Sequence, residues 1–178
     1  MRDDIKEILF SEEAIRQRVR ELGAEITKEY TGKPLLLIGV LKGCFVFLAD
    51  IARQIDLDCE IRFLMASSYG FSSVTSGKVN IDRNIDFTVE GKDVLIIEDI
   101  LDSGITLTAL RAFIARHKPN SLKTCTLLDK PERRQVPITP DYTGFDCPNE
   151  FVVGYGLDYG ERYRNLPYVA VLKPEVYS

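Results

Sequence analysis

Leu35-Leu36-Leu37-Ile38-Gly39-Val40-Leu41 is an unbroken apolar run held between Pro34 and Lys42, and it limits the possible folds more than any other segment. A strand with one wet face alternates apolar and polar residues, whereas a strand that is apolar throughout is covered on both faces, as in the centre of a parallel sheet. Val94-Leu95-Ile96-Ile97 is a second run of this kind. Helical patterns stand around them. Ser11 is placed to cap a helix with Glu12 and Glu13 in its first turn, and Ile15, Val19, Leu22, Ile26 and Tyr30 then recur at helical spacing up to Gly32. Phe45, Leu48, Ala49, Ala52 and Ile55 follow the first run at helix period, and Cys59, Ile61, Phe63 and Met65 then alternate at strand period, so the first unit reads βαβ. Thr106 to Arg116 reads as helix, while Cys125 to Leu128, Phe151 to Gly154 and Val169 to Leu172 read as short strands. This alternation predicts an α/β fold: an open, mostly parallel sheet flanked by helices on both faces.

The 178 residues fit one domain spanning 1–178. With 45% hydrophobic and 28% charged residues, the chain has enough apolar material for a sizeable core. A net charge of −4 and a pI of about 5.2 argue against general attraction to nucleic acid or an acidic membrane, so any bound anion needs a local site. No apolar run approaches the roughly 18–20 residues that span a bilayer. The opening MRDDIKEILF carries acids where an export signal has bases, which predicts a cytoplasmic protein. Cys44, Cys59, Cys125 and Cys147 lie far apart without metal-ligand spacing and read as reduced thiols. The single histidine, His117, precedes Lys118-Pro119 at a helix end. Histidine triads and polyhistidine zinc sites are therefore excluded, leaving carboxylates, lysines, backbone amides and a metal for any chemistry.

The segment after Val94–Ile97 concentrates those groups. In open α/β sheets, ligands bind at the carboxyl ends of strands, where a following helix N-terminus offers free N–H groups. Asp102-Ser103-Gly104-Ile105-Thr106 can wrap a phosphate there, with Gly104 allowing close backbone approach. Upstream, adjacent Glu98 and Asp99 repel each other unless a cation or a set of hydroxyl donors lies between them. A ribose diol with Mg²⁺ meets that need, and the whole points to a sugar phosphate. The plainer alternative makes Asp102 or Ser103 a helix cap and leaves the acids solvated, but it does not explain two acids directly after four apolar residues. Neither GxxxxGK[ST] nor GxGxxG is present.

Val94 to Leu107, VLIIEDILDSGITL, resembles the 5-phosphoribosyl-1-diphosphate (PRPP) motif of the type I phosphoribosyltransferases. Gly39-Val40-Leu41-Lys42-Gly43, Ser68-Tyr69, Leu128-Asp129-Lys130 and Phe151 to Tyr159 follow the order seen in the hypoxanthine-guanine branch. The resemblance spans Gly39 to Arg164 and implies transfer of a phosphoribosyl group from PRPP to N9 of a 6-oxopurine in purine salvage. It implies that Glu98 and Asp99 hold the ribose hydroxyls, that Asp102 to Thr106 hold the 5′-phosphate, and that Asp102 is the catalytic base at N7. Lys42, Gly43 and Arg164 take pyrophosphate, and Arg133 or Arg134 matches a further arginine. Lys130 is placed on the purine 6-oxygen, Phe151 over the ring, and Val152 and Asp158 at its other edge. Mg²⁺ is implied at Glu98, Asp99 and Asp158, partly through water or substrate.

The same resemblance implies a cis Leu41–Lys42 peptide, a loop at Ser68 and Tyr69 closing over the reaction centre, and a small hood built from about 1–12 and 145–178. Assembly as a homodimer or homotetramer is expected. Cys44 stands where the family often has a smaller residue. A competing expectation is a regulator that uses this fold to sense PRPP or nucleotides while binding RNA or DNA. A basic face or an added binding segment would mark it, and neither is visible.

Overall fold

In the computed structural model, which describes residues 2–68, 79–81 and 87–177, the all-apolar run Leu35–Leu41 forms a central strand. The elements in chain order are β1 (Ile5–Phe10), α1 (Glu12–Tyr30), β2 (Leu35–Leu41), α2 (Phe45–Ala52), β3 (Cys59–Ser68) and β4 (Val79–Ile81). Then come β5 (Asp93–Leu101), α3 (Ile105–Ala115), β6 (Ser121–Asp129), β7 (Tyr142–Asp146), β8 (Val152–Val153), β9 (Val169–Leu172) and α4 (Pro174–Tyr177). The main sheet has the order β4-β3-β2-β5-β6-β7, and all its pairings are parallel except that of the edge strand β4.

The pleat explains why β2 has no polar position. Leu35 and Leu37 pack on one face with Leu95, Ile97 and the buried stripes of α1 and α2, while Leu36, Ile38 and Val40 pack on the other with Val94, Ile96 and Leu107, Leu110 and Ile114 of α3. The class is the expected one: an open, mostly parallel α/β sheet with helices on both faces. Ser11 caps α1, its hydroxyl accepting from the Ala14 N–H at 3.2 Å, a contact of about 1 kcal/mol. His117 closes α3 with Nδ1 3.1 Å from the Phe113 carbonyl oxygen.

A second, three-stranded antiparallel sheet, ordered β1-β9-β8, is made from segments near the two ends of the chain. Among the described residues, no helix is long and apolar enough to cross a membrane. All four cysteines are free, and Cys44, Cys125 and Cys147 are buried.

Three local details add to the sequence reading. β5 runs past Ile97 to Leu101, because Glu98, Ile100 and Leu101 still pair with β6. The helix after Lys42 begins at Phe45 with Cys44 at its cap, so Gly43 lies in the preceding turn. On β3 the alternation is real but faces outward: Ile61, Phe63 and Met65 are exposed, whereas Leu64 and Ala66 pack into the core layer that α3 covers. Period identifies a strand without saying which face meets the core.

Candidate active site

β5 carries its two acids at the carboxyl edge of the sheet. Glu98 is 8% exposed, and burial first, then the Asp99 charge, raises its carboxyl well above the ordinary value. Asp99 is pushed up to about 6, mainly by burial, against the pull of backbone N–H groups and the Arg164 charge. Its Oδ1 accepts from the Ile100 N–H at 2.8 Å. Such a pair is costly to ionise alone and is stabilised by a cation or by hydroxyl donors.

The chain then turns into α3. Gly104 precedes the helix at φ +83, a left-handed conformation that suits glycine, and a Cβ there would also lie 2.6 Å from Ile138 Cγ2. Ser103 Oγ accepts from the Ile105 N–H at 3.4 Å, and no acid stands in the first turn of α3. Asp102 to Thr106 thus combine hydroxyls with a helix N-terminus, the arrangement that holds a phosphate.

The Lys42 turn lies against the acids. The Leu41–Lys42 peptide is cis, as expected. A Cβ on Gly43 would stand 1.6 Å from Asp99 Oδ2, so only glycine lets this backbone rest on that carboxylate. From the far side, Gly156 packs so closely that its own Cβ would be 2.1 Å from the Gly43 carbonyl oxygen. Arg164 completes the group: Nη1 donates to the Gly156 carbonyl at 2.8 Å, and Nη2 is 3.1 Å from Asp158 Oδ1. Glu161, which sequence reasoning missed, bridges Lys42 and Arg164 at 3.1 and 3.3 Å.

A cavity of about 370 Å³ opens beyond the acids, bounded by Ile100, Asp102, Lys130, Phe151, Val152 and Tyr177 among others. Its size suits a planar heterocycle. Lys130 is 7% exposed and its Nζ donates to the Glu150 carbonyl at 2.6 Å, so it is no solvated turn lysine. Phe151 is a half-exposed wall stacked on Tyr177, with ring centroids 4.8 Å apart, and it meets Tyr159 edge-on. Tyr177 and Leu157 were not legible as site residues. Asp102 lies between cavity and nest, where its Oδ1 accepts from Arg133 Nε at 3.1 Å. Arg134 turns instead to Asp129 and to the carbonyls of Asp102 and Ile138, which leaves Arg133 as the arginine facing the site.

Ser68 ends β3 opposite Val79, and Tyr69 lies outside the described residues. Among the described residues, no three carboxylate, histidine or cysteine side chains converge on one metal position. The Glu98–Asp99 pair, one acid buried and the other half-buried, nevertheless fits a divalent cation whose remaining ligands are water or substrate oxygens.

The pattern of the phosphoribosyl transferase domain family matches residues 6–160. A hypoxanthine-guanine phosphoribosyltransferase of Bacillus subtilis is 54% identical over 178 residues, covering 100% of this chain and 99% of that protein. A bifunctional TilS/HprT protein of Listeria innocua is also 54% identical, although the chain spans only 28% of its length. Among solved structures, a hypoxanthine phosphoribosyltransferase of Staphylococcus aureus superposes with a TM-score of 0.96 at 50% identity, covering 100% of this chain and 97% of that one. A Trypanosoma cruzi hypoxanthine phosphoribosyl transferase, solved in work on its C-terminal region, oligomeric state and activity, gives 0.92 at 43% identity over 98% and 95%.

Proposed function

The chain belongs to the phosphoribosyl transferase family, in its hypoxanthine-guanine branch, and we propose that it joins the 5-phosphoribosyl group of PRPP to N9 of hypoxanthine and guanine, releasing pyrophosphate. The observation that carries this reading is the pair of buried Glu98 and half-buried Asp99 set directly beside the Asp102–Thr106 nest at the edge of the sheet. Acids for a diol and amides for a phosphate, a few residues apart, suit a phosphorylated pentose.

The nest holds the 5′-phosphate, while Glu98 and Asp99 accept from the ribose hydroxyls. As the bond to pyrophosphate breaks, carbon-1 gains positive charge, and the same acids stabilise it more in the transition state than before. Lys42, the Gly43 turn and Arg164 take the departing diphosphate. Mg²⁺, when bound, neutralises the diphosphate and makes it a better leaving group; Glu98, Asp99 and Asp158 are the residues to hold it. Asp102 takes the N7 proton as N9 bonds, Phe151 covers the ring, and Val152 and the Asp158 turn read its outer edge. Closure over the reacting sugar by the segment that begins at Ser68, with Tyr69 outside the described residues, is the expected means of excluding water.

Lys130 sets the base class. Its ammonium has three donors, of which the Glu150 carbonyl takes one, leaving a donor for a 6-oxygen and none to accept from a 6-amino group. Lys130→Met should lower kcat/KM for hypoxanthine by about 10- to 100-fold, the size of a charged hydrogen bond, with much less effect on PRPP affinity. Gly43→Ala should lower kcat/KM for PRPP by about tenfold or more while moving Tm by less than about 4 °C, since the added methyl displaces a carboxylate tip rather than core.

We read residues 1–178 as one catalytic unit with the three-stranded sheet as its hood, acting in the cytoplasm as a homodimer or homotetramer. The exposed apolar stripe of Ile61, Phe63 and Met65 supports assembly, because monomers rarely leave such a face to water. No observation favours a nucleic-acid-binding regulator. The deciding experiment follows the ultraviolet change when the protein meets hypoxanthine, PRPP and Mg²⁺. Formation of IMP is expected, and no turnover by folded protein would overturn the reading.

A further inference from the structure

Glu161 is a charged group of the site for which the reaction above has no use. Its carboxylate touches both cations assigned to the leaving group, Lys42 Nζ through Oε2 and Arg164 Nη2 through Oε1. The Lys42 contact joins residues 119 apart in sequence. Glu161 adopts φ +64, an uncommon conformation for a non-glycine residue, and its N–H donates to Asp158 Oδ2 at 2.8 Å. The turn that presents Asp158 therefore also aims Glu161. Its carboxyl sits below the usual range, through the Lys42 hydrogen bond first and the Arg164 charge in addition.

We propose that Glu161 is an internal stand-in for pyrophosphate, a positioning residue that holds Lys42 and Arg164 within the span of one anion until the substrate's diphosphate displaces it. This rests on the assignment of those two cations to pyrophosphate. Without Glu161, Arg164 keeps Asp158 and the Gly156 carbonyl, but Lys42 loses its carboxylate partner and is repelled toward water by the neighbouring guanidinium. A single carboxylate keeps them together, yet a Mg²⁺-bound diphosphate carries more charge and more acceptor oxygens and takes them over. When pyrophosphate leaves, Glu161 returns to the cations and opposes rebinding. Its presence thus weakens the hold on both PRPP and pyrophosphate and limits product inhibition.

The test is titration calorimetry of Mg²⁺-pyrophosphate into the full chain and into Glu161→Gln, beside steady-state kinetics with PRPP and hypoxanthine. Glu161→Gln should bind Mg²⁺-pyrophosphate about three- to tenfold more tightly, the size of two screened ion pairs made by an exposed carboxylate. Its inhibition constant for pyrophosphate and its KM for PRPP should fall by similar factors, and Glu161→Asp should move back toward the original values. In a Lys42→Ala background the gain should shrink below about twofold, because one of the two competing contacts is already gone. A merely structural role would lower Tm and weaken every ligand together. Unchanged or weaker pyrophosphate binding by an active Glu161→Gln overturns the stand-in alone. Absence of IMP formation by the unaltered protein overturns the catalytic reading beneath it.

Discussion

Asp102→Asn lowers the rate constant for nucleotide formation by about 10²- to 10⁴-fold, the range of a lost general base, while the Kd of Mg²⁺-PRPP stays within about threefold. The separation follows from how Asp102 is held. Its carbonyl accepts from Arg134 Nε at 3.1 Å, and the neighbouring Ser103 carbonyl accepts from the Gln135 N–H at 2.9 Å, so the backbone of the nest is fixed independently of the carboxylate. Asparagine keeps the shape and can still accept from Arg133 through Oδ1. What it loses is the ability to take a proton from the base across the cavity rim. Quench-flow measurement of nucleotide formation, with calorimetry of PRPP binding, checks both halves. Equal losses in rate and affinity would reduce Asp102 to a binding group.

The second large effect concerns the acids on β5. Both carboxyls have folded-state pKa values above their unfolded ones, Asp99 at about 6. A group raised in this way contributes stability that is fully present below its unfolded pKa, near 4, and is lost as pH rises through the folded value. With metal chelated and PRPP omitted, Tm should therefore decline as pH rises above about 4, through about pH 6 for Asp99 and further as Glu98 is ionised. Glu98→Gln with Asp99→Asn should abolish that part of the slope and raise Tm at pH 8 by about 3–6 °C, since a burial cost of ionisation has been removed. The same double variant should lose measurable PRPP binding. Differential scanning calorimetry across pH, repeated with Mg²⁺-PRPP, checks this. A double variant that melts lower at pH 8, or that still binds PRPP, would show the pair to be structural. The site is thus bought with stability, and only the ligand returns it.

How far the sequence could be read depended on whether a signal was local. β2, β5 and α1 were legible because burial on two faces, or on one helical stripe, writes itself into consecutive residues. The phosphate nest was legible for the same reason, since strand end, acids, glycine and helix start lie within one short stretch. The cis Leu41–Lys42 bond was reached only through resemblance; nothing in those two residues demands it. β3 was found by its period, but which of its faces meets the core was not legible, because alternation is silent about which side is wet. Glu161 under Lys42, Tyr177 against Phe151 and Lys130 reaching the Glu150 carbonyl are contacts between distant segments of the chain. No spacing rule can show them. Arg133 and Arg134 could be told apart only when Asp129 and two carbonyls were seen to claim the second.

The small sheet has a consequence for biosynthesis. Val152 and Val153 pair with Val171 and Ala170, and Phe151 leans on Tyr177, so the wall of the base cavity is built from segments that follow the Glu98–Thr106 stretch at a distance, and that stretch is itself braced by Arg134 and Gln135 beyond α3. A nascent chain paused on the ribosome just beyond β7 would hold Glu98, Asp99 and the turn into α3 but lack Arg164, Asp158 and the Phe151 wall, so it could complete neither the diphosphate end nor the nucleobase end of the site.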